Sequence, residues 1–320
     1  MDKMIEVFGL HKVFGRQTVV NDISFSVAKG EVLGFLGPNG AGKSTTMKMI
    51  CGFLTPSKGY ATVCGHNVLT DPVALKSSIG YLPEGAPAYS EMNVLDFLKF
   101  IAEIRGYTGA QAQAKIDAAI EKVNLQSVLY KTIETLSKGF KRRVGLAQAI
   151  LHNPPVLIMD EPTDGLDPNQ KHEVRELIRE MAKDKAIIIS THILEEVPAL
   201  CSRAIIIAEG KLLFDDTPEK LEARSEVHNA VTLRIEGEVP SATGSLLEQL
   251  DGVEKVSIYK EQDTRFVVYP KDGKNILHQV SQLARSQQWD LDELSVSQGQ
   301  LDEVFRRITL GETDGASVSA

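Results

Sequence analysis

Gly37-Pro38-Asn39-Gly40-Ala41-Gly42-Lys43-Ser44 fits the pattern G-x-x-x-x-G-K-[ST] without departure. Glycines at these places let the backbone fold around phosphate, so that several N–H groups converge on one anion. The apolar run Val32–Leu36 precedes the loop and Thr45–Ile50 continues it as a helix, whose positive dipole end faces the same anion. Lys43 supplies a mobile charge for β- and γ-phosphates, and the Ser44 hydroxyl a ligand for Mg²⁺. Four constrained positions match by accident in about one chain of this length per hundred, and the strand–loop–helix setting lowers that further. Nucleotide binding by Gly37, Pro38, Asn39, Gly40, Ala41, Gly42, Lys43, Ser44 and Thr45 is the expectation.

Outward from this loop, short apolar runs recur at Gly30–Leu36, Ile79–Leu82, Val156–Met159, Ala186–Ser190 and Ala204–Ile207. They are rich in β-branched residues and apolar throughout, as parallel strands covered on both faces are. Residues 93–135 read as helices instead. Asn93 can cap a run carrying Val94, Leu95, Phe97, Leu98 and Ile101, and Thr108 can cap the Ala-rich run 110–123. The pattern predicts an α/β domain over residues 1–220 with a helical insertion over about 85–150. Val156-Leu157-Ile158-Met159-Asp160-Glu161 ends a strand in two acids, delivering them to the sheet edge where α/β ligands bind. Asp160 is expected to hold Mg²⁺ through water, and Glu161 to polarise the attacking water as general base. Such an acid pair is commonly no more than solvated, but beside a phosphate loop that reading falls to about one in ten.

After residue 220 the texture changes. Strand Val231–Ile235, helix Ser245–Leu250, strands Val256–Tyr259 and Phe266–Tyr269 joined by the polar turn Lys260–Thr264, helix Asn275–Ser286 and strand Leu291–Val296 follow in order. The order βαββαβ predicts a small ferredoxin-like α+β domain over 221–310. A last helix carries Leu301, Val304, Phe305 and Ile308 on one stripe, and 311–320 reads as a flexible tail.

With 42% hydrophobic and 24% charged residues, wholesale disorder is excluded. Apolar runs such as Ala204–Ala208 fall far short of the roughly 18–20 residues that cross a bilayer. Met1–Glu6 does not lead into the apolar core of a secretion signal, and Cys51, Cys64 and Cys201 are too scattered for a disulfide framework or a zinc site. A cytoplasmic chain is expected. Residues 221–320 carry 17 Asp+Glu against 10 Lys+Arg, while residues 1–220 are nearly neutral. That balance disfavours binding nucleic acid, or anionic lipid through a basic patch.

Leu136-Ser137-Lys138-Gly139-Phe140-Lys141-Arg142-Arg143 resembles the ABC signature LSGGQ-x-QR, and Ser137 stands 23 residues before Asp160, as in that family. Other segments then fall into the family's order. Phe14 is similar to its adenine-stacking aromatic, Thr163-Asp164-Gly165-Leu166-Asp167 to its D-loop, and His192 after Ser190-Thr191 to its switch histidine at the γ-phosphate. A lone histidine after a strand is usually a surface residue, and a lone Phe usually core; the joint order is what raises both. The resemblance covers residues 4–220 and implies a P-loop NTPase of the ABC ATPase type. It further implies that Ser137 and Gly139 serve a nucleotide held by the other subunit, with Asp167 among the nucleotide-binding residues. A homodimer, or a pair with a similar ATPase, would then sandwich two ATPs.

Glu84 stands where the family has a glutamine, and Lys138 and Phe140 replace signature residues. Glu84 is expected still to ligate the metal together with Ser44 and Asp160, while adding repulsion toward the γ-phosphate. Tyr81-Leu82-Pro83-Glu84, the Lys-Gly-Phe-Lys form of the signature and the ending Leu301–Thr309 resemble the ABC-2-type exporter branch, including its multidrug and gliding-motility-associated ATPases. The implied function is an ATP-hydrolysing export subunit using ATP and Mg²⁺, with Glu161, His192 and Lys43 catalytic. Its implied place is the cytoplasmic face of the inner membrane, beside an integral-membrane ABC-2-type permease whose coupling helix enters a groove at the helical insertion. The rival is a soluble ABC ATPase of translation or DNA repair; those types carry two such domains or long inserted coiled coils, and this sequence shows neither. A P-loop small-molecule kinase has no use for residues 136–143.

Overall fold

The computed structural model describes residues 2–85, 88–236, 239–260 and 264–310. The chain folds as two units, Met1–Pro218 and Glu219–Ala320. The first unit begins with β1 (Lys3–Phe14), β2 (Gln17–Ala28), β3 (Val32–Leu36) and α1 (Lys43–Ile50), then β4 (Lys58–Val63), β5 (His66–Asn67), α2 (Pro72–Ser77) and β6 (Ile79–Leu82). Helices α3 (Val94–Ile104), α4 (Gly109–Lys122) and α5 (Lys138–Ile150) form the expected helical insertion. The chain returns through β7 (Val156–Asp160), α6 (Pro168–Ala182), β8 (Ala186–Ser190), α7 (Glu196–Leu200), β9 (Arg203–Ala208) and β10 (Lys211–Asp216).

The five runs that are apolar throughout, with the more polar β10 added at one edge, build one six-stranded sheet in the order β10-β9-β3-β8-β7-β6, parallel except for β10. Every residue of β3, β7 and β8 is buried, which is why no polar alternation marks them. Since β3, β8 and β7 are neighbours in register, with Phe35 and Asp160 both opposite Ser190, their C-terminal ends emerge side by side. A second, antiparallel sheet orders β2-β1-β4-β5. Its buried residues Ile5, Val7, Leu10, Val20, Ile23, Phe25 and Val27 share one core with Leu33, Phe35 and Ile188.

Asn93 caps α3, its side chain accepting from the Asp96 N–H at 2.8 Å. Thr108 corrects an expectation. It occupies the N-cap position of α4 with extended backbone, but its hydroxyl makes no capping bond. The antiparallel sheet was likewise not anticipated from the sequence.

Following α8 (Pro218–Glu222), the second unit runs β11 (Val231–Ile235), α9 (Thr243–Glu248), β12 (Val253–Lys260), β13 (Thr264–Pro270), α10 (Leu277–Ser286), β14 (Leu291–Val296) and α11 (Leu301–Leu310). The antiparallel order β12-β13-β11-β14 is the ferredoxin-like arrangement. Val231, Leu233, Phe266, Val268, Leu247 and Val280 form its core. The turn at 261–263 and the tail 311–320 lie outside the described residues.

Candidate nucleotide site

The phosphate loop leaves β3 and enters α1 through Gly42, whose φ of +103° is left-handed. A Cβ there would also stand 2.7 Å from the Val19 carbonyl, so glycine is required on two counts. Lys43 turns its ammonium back onto the loop, donating to the carbonyls of Gly37 at 2.6 Å and Pro38 at 3.1 Å. Burial lowers its pKa, while Glu161, Asp160 and Glu84 act in the opposite direction. Those three acids are therefore the charges that Lys43 feels, and all three belong to the set expected from sequence. Ser44 and Thr45 lie half-buried on the first turn of α1.

Asp160 ends β7 almost fully buried and accepts a short hydrogen bond from the Ser190 hydroxyl of β8. Ser190 also holds the next residue, its Oγ and backbone O receiving the Glu161 N–H at 3.1 and 3.2 Å. Glu161 sits at φ +51°, a conformation that costs energy for a residue with a Cβ and gathers at functional sites. So aimed, its Oε1 stands 3.0 Å from His192 Nδ1. Ligand-type atoms of Glu161, Asp164 and His192 lie within 4.8 Å of one another, a set different from the Ser44, Glu84 and Asp160 expected for the metal.

Ser137 caps α5, accepting from the Phe140 N–H at 3.4 Å. Asp167 caps α6, accepting from the Gln170 N–H at 2.9 Å. Gly139 meets the Gln170 side chain so closely that a Cβ would lie 2.2 Å from Oε1. Gly139 and Asp167 thus both meet Gln170, and among the described residues neither they nor Ser137 hydrogen-bond to Gly37–Ser44. Phe14 ends β1 with its ring 48% exposed and the Lys12 ammonium 5.1 Å from its centre.

Several residues that shape the site were not singled out in the sequence. Ser190 orients both acids, and Glu196 accepts from the Thr163 hydroxyl at 2.5 Å. Arg142 is buried among Asp164, Glu161, Asp160 and Glu84, its desolvation lowering its pKa against their attraction. A polar residue in the middle of an otherwise apolar helical face was the available signal for Arg142; a serine closing a strand carries none. Burial raises the pKa of the Cys51 thiol, and that of Cys201 to about 12.

A phosphate loop after β3, an acid pair after β7 and a histidine after β8 on one parallel sheet edge define a P-loop nucleotide-binding protein. A family model described as ABC transporter matches residues 20–164. The uncharacterized ABC transporter ATP-binding protein YhcH of Bacillus subtilis (strain 168) is 32% identical over 316 residues, covering 98% of each chain. The Nod factor export ATP-binding protein I of Paraburkholderia xenovorans (strain LB400) is 35% identical over 306 residues, 95% of this chain and 96% of its own. Among solved structures, CbiO1 from Clostridium perfringens, part of the ABC transporter complex CbiONQ, matches with a TM-score of 0.64 and 29% identity over 70% of this chain and 92% of its own. The chain belongs to the family of ABC transporter ATP-binding proteins and is the ATP-binding subunit of such a transporter. No helix among the described residues is long and apolar enough to cross a membrane, and subunits of this family work with membrane permeases.

Proposed function

We propose that this subunit hydrolyses ATP in the presence of Mg²⁺, and that two copies, or one copy and a similar ATPase, close on two ATPs to drive export through an ABC-2-type permease. The observation that carries the reading is the Glu161–His192 pair at 3.0 Å on the edge that bears the phosphate loop. The glycine cradle and the Lys43 ammonium lying across loop carbonyls suit a triphosphate. Ser44, Glu84 and Asp160 would hold the Mg²⁺, an all-oxygen set fit for a hard cation. When bound, that ion supplies neutralisation of charge at the phosphate oxygens.

The chain's own residues do the rest. Backbone N–H groups of Gly37–Ser44 orient the phosphates, and Lys43 trades loop carbonyls for phosphate oxygens. Glu161 takes the proton of the attacking water, while His192 keeps the carboxylate aimed. Phe14 offers its exposed face to the adenine. Ser137, Gly139 and Asp167 serve the nucleotide of the opposite subunit, so closure requires ligand on both sides of the interface.

An apolar groove supports a membrane partner. About 450 Å³ in volume, it is lined in part by Phe53, Val73, Tyr81, Ile101 and Ile104. Phe53, Val73 and Ile104 are 60%, 79% and 65% exposed, a concentration of apolar surface that suits a permease helix. The export named for the Nod factor relative over nearly the whole chain supports the direction of transport. The subunit would then lie peripherally on the cytoplasmic face of the inner membrane.

Replacement of the base tests the reading. Glu161→Gln is expected to lower hydrolysis at least about 100-fold and to leave a stable ATP-bound dimer, measured by phosphate release and by light scattering on a sizing column. Turnover at the unsubstituted rate would remove Glu161 from that role.

A further inference from the structure

The segments that carry Glu161 and His192 run side by side and are tied by three successive rungs. At the first, the Glu161 N–H binds Ser190, through Oγ at 3.1 Å and through O at 3.2 Å. At the second, Glu161 Oε1 meets His192 Nδ1 at 3.0 Å. At the third, the Thr163 hydroxyl donates to Glu196 Oε2 at 2.5 Å, while the other oxygen of Glu196 pairs with the Lys171 ammonium of α6 at 3.3 Å. The middle rung is the one with chemistry, yet it joins an exposed imidazole to a side chain on a left-handed residue. Of the two, the imidazole is 51% exposed and takes little support from packing. The first rung is anchored in the sheet; beyond it, the third joins the two segments through buried side chains.

Its burial says the same. Thr163 and Glu196 are 1% and 5% exposed. A carboxylate is costly to place in such surroundings, so one retained there has its partners chosen with care. A residue that only packed α7 against α6 would be served as well by an apolar side chain.

We propose that Glu196 is a positioning residue for hydrolysis: by holding Thr163 and Lys171 at once, it locks the turn Thr163–Asp167 to the His192 segment and so sets the Glu161–His192 contact. This rests on the hydrolytic reading given above. It also extends that reading, because the same turn carries Asp167, proposed to serve the nucleotide of the opposite subunit.

The test uses the purified full-length chain with MgATP, alongside the Glu161→Gln control. Thr163→Val keeps the side-chain shape and removes the donor; Thr163→Ser restores the donor. Thr163→Val is expected to lower kcat roughly tenfold or more with KM within about twofold, and Thr163→Ser to return kcat to within about threefold. Glu196→Ala should lower kcat similarly, and the double variant Thr163→Val with Glu196→Ala should be no slower than the slower single, since both remove one rung. A role in folding alone would lower the thermal midpoint and leave kcat per folded molecule unchanged. Wild-type kcat in Thr163→Val, a rise in KM alone, or losses that multiply in the double variant would each overturn the proposal. If Glu196→Ala does not fold, the Val and Ser variants at Thr163 decide on their own. If Glu161→Gln itself turns over normally, the hydrolytic reading fails; if Glu161→Gln is dead and Thr163→Val is fully active, only the positioning role fails.

Discussion

His152 shows how a single side chain far from phosphate chemistry still writes a pH dependence into the molecule. Its Nε2 lies 3.1 Å from the Ile79 carbonyl at the start of β6, an arrangement that puts the proton on Nε2. The buried Nδ1 then has no hydrogen-bond partner among the described residues. Desolvation, reinforced by the positive charge of Arg105, depresses its pKa from 6.5 to about 4. The unfolded chain therefore takes up the proton first as pH falls. Stability is whole above the unfolded value of 6.5, declines as pH falls toward about 4, and levels off below that. Partial exposure of the ring discounts the effect to roughly 2 kcal/mol. His152→Gln keeps an N–H for the Ile79 carbonyl and cannot titrate. Thermal midpoints recorded across this pH window should therefore fall less steeply in the variant than in the parent, and identical slopes would contradict the assignment.

At the scale of elements, what the sequence could reveal depended on whether a pattern was regular. The phosphate loop, the acid pair after β7 and the order of the second unit were legible because each rests on spacing along one continuous segment. β1 and β2 were not, although both alternate in places. Their register shifts between Val7 and Leu10 and again beyond Leu10, and Asp22 takes a positive φ of 59°. Bulges of this kind break a period-2 count just where a strand of 12 residues would declare itself. Glu196 was invisible for another reason: its partners Thr163 and Lys171 are brought to it by the fold alone. Caps show the same division within a single motif. Asn93 and Thr108 are both favoured N-cap residues by type, Asn somewhat more so, and both have extended backbone, but only Asn93 makes the bond. Asn93→Ala should cost about 1 kcal/mol, whereas Thr108→Ala should change stability by less than about 0.5 kcal/mol. Urea midpoints of the two variants would distinguish them, and equal losses would show that the hydroxyl of Thr108 does cap in solution.

For the whole molecule, the decisive fact is that one chain carries one phosphate loop and one capped Ser137 helix, with no hydrogen bond joining the two among the described residues. Ser137 is exposed and instead uses its side chain to cap the Phe140 N–H, at the helix end that carries the positive field. If each nucleotide draws the loop from one subunit and the Ser137 helix from the other, defects in the two elements complement across an interface. Take chains bearing Lys43→Ala and chains bearing Ser137→Arg, each inactive as a homodimer because both of its sites carry the defect. In a mixed dimer one site collects both lesions and the other collects neither. Random pairing of equal amounts makes half of the dimers mixed, so hydrolysis should recover to about one quarter of the unsubstituted rate when the two sites act independently. Strict alternation between sites would lower that figure, but activity would still rise above either parent and follow the square of concentration when dilute. Mixing the two inactive preparations and titrating phosphate release against total protein measures both. An activity that stays at the parental level, in a mixture shown by light scattering to have exchanged subunits, would mean that each chain completes its own site.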